Sequence, residues 1–133
     1  MDESWNRGAE VARQFARRLA RRDPELTQLL AVVAAELGVP VGMLVARSRC
    51  RAEIAEARWL AMYLAHVVLG RSILSLARLF RRNWSTVSRA CMRLEDERDR
   101  PDFDAFIDRL ETNLPVANEN HRPRQGRVRR AAR

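Results

Sequence analysis

The sequence holds no lysine: all 25 of its basic residues are arginine. No GxxxxGK[ST] phosphate-cradling loop can therefore exist within these 133 residues. Aromatics make up only 6%, and the apolar residues are mostly Ala, Leu and Val, which favours packed helices over a sandwich of aromatic-rich strands. There are two cysteines, Cys50 and Cys91, without CxxC spacing, and the two histidines, His66 and His121, are not grouped with them. That spacing argues against a metal site or a disulfide scaffold. No apolar run reaches the ~18 residues of a membrane span. The first residues, MDESWNRGAEVARQF, have no apolar core of a secretory signal. No nucleophile is set beside a base, no segment alternates with period two for long enough to predict a strand, and no internal repeat is visible.

What is present is charge and helical period. The formal net charge of +8 points to a polyanionic partner, nucleic acid first and an acidic membrane surface second. A biased genome explains an arginine excess by itself, although arginine's planar fork also suits phosphates and guanine edges. Residues 4–22 carry an apolar stripe at Trp5, Ala9, Ala12, Phe15 or Ala16, and Leu19, with arginines crowding the other faces. Asp23 is placed to cap a second helix that opens on Pro24, presents Leu26, Leu29, Leu30, Val33 and Leu37, and stops at Gly38. A turn or two of helix follows Pro40, then a basic hinge, Arg47 to Arg51. A longer helix is predicted over 52–69, with Ala57, Leu60, Ala61, Leu64 and Val68 inward and Gly70 at its end. Ser72 caps a short helix carrying Ile73, Leu76, Ala77 and Phe80. Asn83 is placed to cap the next, which turns Val87, Ala90 or Cys91, and Leu94 inward. The last helix starts near an Asp99 cap, with Pro101 in its first turn and Phe103, Phe106, Ile107, Leu110 and Leu114 as its stripe. The acids of LEDERDRPDFDAFID interleave with arginine at helical spacing and predict a solvated, ion-paired face. The expected organisation is an amphipathic helical arm over 1–23, an all-α domain of five to six helices over 24–114, and a disordered basic tail over 115–133 with six arginines against one acid.

The helices at 72–80 and 83–96, joined by a tight turn, have helix-turn-helix form. In that motif the second helix enters the major groove by its N-terminal turn, where unpaired N–H groups and a partial positive charge favour phosphates. Ser85, Thr86 and Ser88 are short enough to approach base edges. Arg81, Arg82 and Arg89 suit phosphate or guanine contacts, and Trp84 offers a flat face for a thymine methyl or a sugar. His66, among apolar neighbours and without a nucleophile beside it, reads as a packing or surface histidine. Cys91 reads as a small core residue. Cys50 lies between Arg49 and Arg51, whose charge lowers a thiol's pKa in general.

The run ARWLAMYLAHVVLGRSILSLARLFRRNWSTVSRACMRLEDER resembles the C-terminal DNA-binding domain of the bacterial replication initiator DnaA. AMYLA, SILSLARLF and STVSRACMRLE follow in that family's order and at nearly its spacing, within a likeness extending over about 26–114. The resemblance implies a helical, TrpR-like domain and duplex DNA as partner. Asn83, Trp84, Ser85 and Thr86 align with the signature whose aspartate, histidine and threonine meet bases in the major groove. Arg47, Arg49 and Arg51 fall in the family's basic loop, Arg49 or Arg51 taking the minor-groove role, and Arg58 matches an arginine that holds DNA. The chain also departs from the family. Arg81 and Arg82 stand for the two glycines of the turn, with one residue fewer, Asn83 and Trp84 for Asp and His, and Leu74 for a proline. An amide donates as well as accepts, and an indole only donates, so base preference is expected to differ.

Three functional classes compete: a sequence-specific duplex-DNA binder regulating replication initiation or transcription, a module docking replication or transcription proteins through its N-terminal helix, and a membrane-surface binder. The hydroxyl-rich helix and basic loop favour the first. The expectation is a non-enzymatic protein without cofactor or metal, cytoplasmic and nucleoid-associated, with duplex DNA as its partner, protein partners secondary and no membrane partner.

Overall fold

The computed structural model describes residues 3–45 and 52–114. Arg47, Arg49, Cys50, Arg51 and the tail from Pro115 lie outside the described residues. Seven helices and no strand occur among those described: α1 (Glu3–Arg22), α2 (Pro24–Leu37), α3 (Val41–Leu44), α4 (Ala52–Val67), α5 (Ile73–Phe80), α6 (Trp84–Glu97) and α7 (Pro101–Thr112). Six of them lie within 24–114, matching the all-α expectation.

The helix boundaries follow local chemistry. The Asp23 side chain accepts from the Leu26 N–H at 3.3 Å, and Pro24 occupies the first turn, where its missing N–H costs nothing. Gly38 ends α2 in the left-handed region (φ 68°), which a side chain would strain. Ser72 accepts from the Ser75 N–H at 3.1 Å to open α5. Two expected caps differ. Asn83 takes the position before α6, but its side chain makes no capping hydrogen bond. Arg100, not Asp99, precedes α7, also without a side-chain cap.

The central element is α4. Ile54, Ala57 and the unbroken run Leu60 to Ala65 are buried, so this helix is enclosed by neighbours on most of its circumference. It packs against α2 on one side and α6 on another. Leu26, Leu29, Leu30 and Val33 supply the inner face of α2, whereas Leu37, expected on that face, is 39% exposed. From α7, Ile107 and Leu110 enter the core, while Phe103 and Phe106 are half-buried against it.

Helix α1 lies on α2 and α3, with Leu19 in the core and Phe15 packed against it. Its end is fastened by Arg71, whose two terminal nitrogens donate to the Asp23 carboxylate at 2.6 and 2.8 Å. Those bonds from Arg71 hold the Asp23 carboxyl below its ordinary pKa.

The acids after α6 are not all solvated. Arg98 is buried and donates from Nε to Asp104 (2.8 Å), from Nη2 to Asp108 (2.9 Å), and from Nη1 to Glu111 and the Tyr63 hydroxyl (both 3.3 Å). Tyr63 in turn donates to Glu95. The expected solvated face is thus partly an interior ionic centre. The reason is that the loop between α6 and α7 turns Arg98 inward, beneath α7's carboxylates.

Candidate nucleic-acid interface

Helices α5 and α6 pack on one another and on α4, which fixes the helix-turn-helix. Amphipathicity dictates how α6 sits. Val87, Ala90, Cys91 and Leu94 are buried, and the opposite face is left outward. Burial pushes the Cys91 thiol up to about 11, in keeping with a packing role. On the outward side Asn83, Trp84, Thr86, Arg89, Met92 and Arg93 are exposed, Trp84 by 62%, while Ser85 and Ser88 are half-buried. The structure therefore brings Asn83, Trp84, Ser85, Thr86, Ser88 and Arg89 together on the first turn and a half of one helix. No acid lies in the first turn of α6.

The turn is built differently from a glycine turn. Arg81 adopts left-handed backbone angles (φ 56°, ψ 49°), the only described non-glycine residue with positive φ. The Arg82 N–H donates to the Ala77 carbonyl at 3.0 Å and the Arg81 N–H to Arg78 at 3.3 Å, closing the end of α5. The left-handed state costs roughly 1–2 kcal/mol for a residue with a Cβ. It is offset by what the side chain does: Nη2 donates to the Val45 carbonyl at 2.8 Å, and the guanidinium lies 5.0 Å over the Phe15 ring. Arg82 folds back toward the Phe80 and Arg81 carbonyls.

Arg58 is placed differently from the expected DNA contact. It is only 5% exposed, its Nε donates to the Leu44 carbonyl at 3.1 Å, and Nη2 donates to Met43 at 2.8 Å. These carbonyls end the four-residue α3, where no further turn exists to satisfy them. Arg58 and Arg81 thus hold three successive carbonyls, Met43 to Val45, immediately before the basic segment. The side chains of Arg58 and Arg81, both expected to contact DNA, are engaged by this stretch of backbone.

Arg93 was not among the expected contacts, yet it continues the Arg89 row by one helical turn. Its guanidinium lies 5.4 Å over the Trp59 ring, and Trp59, Thr86, Arg89, Ala90 and Arg93 line a shallow hollow beside α6. The spacing of four from Arg89 was the signal for it. His66 is half-buried, and its Nδ1 donates to the Arg71 carbonyl at 2.8 Å, a structural contact.

Among the described residues no helix is long and apolar enough to cross a membrane, and no group of three His, Cys, Asp or Glu is gathered for a metal. In comparison with known families, the bacterial DnaA protein helix-turn-helix matches residues 26–94, which run from α2 through the exposed face of α6. This family's helix-turn-helix is a DNA-binding, non-catalytic unit. No curated protein and no solved structure matches the chain.

Proposed function

We propose, since the chain belongs to the bacterial DnaA helix-turn-helix family, that it binds double-stranded DNA sequence-specifically and regulates replication initiation or transcription at initiator-like sites. The observation that carries this reading is the division of α6: an apolar back in the core, and an outward first turn and a half bearing Asn83, Trp84, Ser85, Thr86, Ser88 and Arg89. Short hydroxyls permit close approach to base edges. Arg89 supplies a fork for guanine or phosphate, and the indole of Trp84 packs on a thymine methyl or a sugar. Arg82 contributes to phosphate binding beside the turn, and Arg47, Arg49 and Arg51 reach the minor groove or backbone from the basic segment. Arg58 and Arg81 support this surface from behind by fixing the Met43–Val45 backbone.

Asn83 and Trp84 set the preferred sequence apart from one read by Asp and His, because an amide donates where a carboxylate only accepts, and an indole only donates where an imidazole can also accept. Selection from a random duplex pool should return one motif, bound about 10³-fold or more tightly than random DNA at physiological salt. Ser85→Ala or Thr86→Ala should then cost about 1–3 kcal/mol of discrimination at one base position. Equal affinity for selected and random duplexes, with no effect of either substitution, would sink the proposal.

A further inference from the structure

Helix α1 lies outside the matched residues 26–94, and its charge is strongly one-sided: six arginines against two acids in twenty residues. Its position is fixed at two points relative to α5. At one end, Asp23, directly after α1, is bonded bidentately to Arg71, just before α5. At the other, the Phe15 ring lies beneath Arg81, directly after α5. Phe15 and Asp23 are eight residues apart, about 12 Å along a helix, and their partners Arg81 and Arg71 flank α5 at its two ends. Helix α1 therefore runs antiparallel to α5, and its part before Phe15 continues past the turn that leads into α6.

The apolar side of α1 is occupied by Leu19 and Phe15. Arg17, Arg18, Arg21 and Arg22 are exposed and form two adjacent rows at spacing four. None of the four has a carboxylate within ion-pair distance among the described residues, whereas Arg13 is paired with Glu10 at 3.1 Å. The negative end of a helix dipole accounts for Arg21 and Arg22 in the last turn, but that effect does not extend to Arg17 and Arg18 a turn earlier. Helix α7, by contrast, carries four acids against one arginine. Positive charge is thus gathered along α1 from Phe15, at the turn, toward Asp23, at the start of α5, and the acids are concentrated on a different helix.

We propose that the exposed arginine rows of α1 form a second backbone-binding surface for duplex DNA, gripping phosphates next to the site that α6 reads. The partner is the DNA phosphate backbone, and this grip carries no sequence information. The inference rests on the DNA-binding reading above, and its test separates the two. The full chain and a variant carrying Arg17→Gln, Arg18→Gln, Arg21→Gln and Arg22→Gln are titrated with the selected duplex and a random duplex over a range of salt concentrations. Glutamine keeps the helix propensity and removes the charge. In the variant, the slope of log affinity against log salt should fall by about 0.9 for each phosphate that α1 no longer neutralises. The ratio of selected to random affinity should stay the same, and Arg100→Gln, beside the acidic helix, should leave the slope unchanged.

An unchanged slope in a chain that still selects its duplex overturns this inference alone. A wild-type chain that shows no preference among duplexes overturns the DNA reading and this inference with it. Phosphatidylserine vesicles test the other polyanion. If the wild-type chain cosediments with them, the variant does not, and the DNA slope is unaffected, then α1 serves a membrane surface and the inference fails.

Discussion

Two arginines that look alike in the sequence do different work. Arg58 donates to the Met43 and Leu44 carbonyls from a buried position. Replacing it leaves those acceptors without their donors, and bonds from a charged donor are worth about 1.5–3 kcal/mol each. Arg58→Met is therefore expected to destabilise the fold by about 2–4 kcal/mol in urea unfolding. It should also weaken DNA binding without lowering the salt slope, because no phosphate loses a partner. A slope reduced by about one unit would instead return Arg58 to the DNA surface. Arg81 sits where glycine is the natural choice, at φ 56°, and keeps its place through Val45 and Phe15. Arg81→Ala and Arg81→Gly both remove those interactions, but only glycine relieves the backbone. The glycine variant should exceed the alanine variant by about 1 kcal/mol in chemical denaturation. Equal stabilities would show that the left-handed backbone carries no cost there.

At the level of elements, the junction of α6 with α7 is held by an ionic centre and not by apolar packing alone. Arg98 joins α4 through Tyr63 and α7 through Asp104, Asp108 and Glu111. Breaking a buried pair by removing one partner typically costs about 3–5 kcal/mol, because the other charge stays behind without compensation. Arg98→Met should therefore destabilise the domain by that order in thermal or urea unfolding. Adding Glu111→Leu should recover part of the loss by removing a buried carboxylate that has lost its Arg98 donor. A double variant as unstable as the single one would mean that Glu111 is compensated by other groups. The same junction shows why its sequence misled: acids and arginines at helical spacing predict an exposed ladder, but periodicity does not tell which member of the ladder the chain turns inward.

Across the whole molecule, α1 is part of the packed body. Leu19 is buried in the same core as α2 and α4, and Phe15 packs against it. Burying such a side chain contributes about 1.5–3 kcal/mol. A chain beginning at Asp23 should accordingly lose about 2–5 kcal/mol of stability. Urea unfolding of the full and shortened chains measures this, and equal midpoints would show that α1 contributes nothing to the fold. The all-helical class, the helix ends at Asp23, Gly38 and Ser72, and the inward and outward sides of α6 were legible in the residues alone. All of these follow from interactions spanning a few residues: the period of 3.6, a cap bonded three residues on, a glycine at positive φ. The likeness in the stretch from AMYLA to STVSRACMRLE also located the helix-turn-helix. Which arginines remain at the surface was settled by packing between distant segments. The partners of Arg58 lie 14 and 15 residues away, that of Arg81 lies 36 away, and Arg98 meets Tyr63 across 35. Until the helices pack, nothing local distinguishes a guanidinium that will satisfy a buried carbonyl or carboxylate from one that stays exposed.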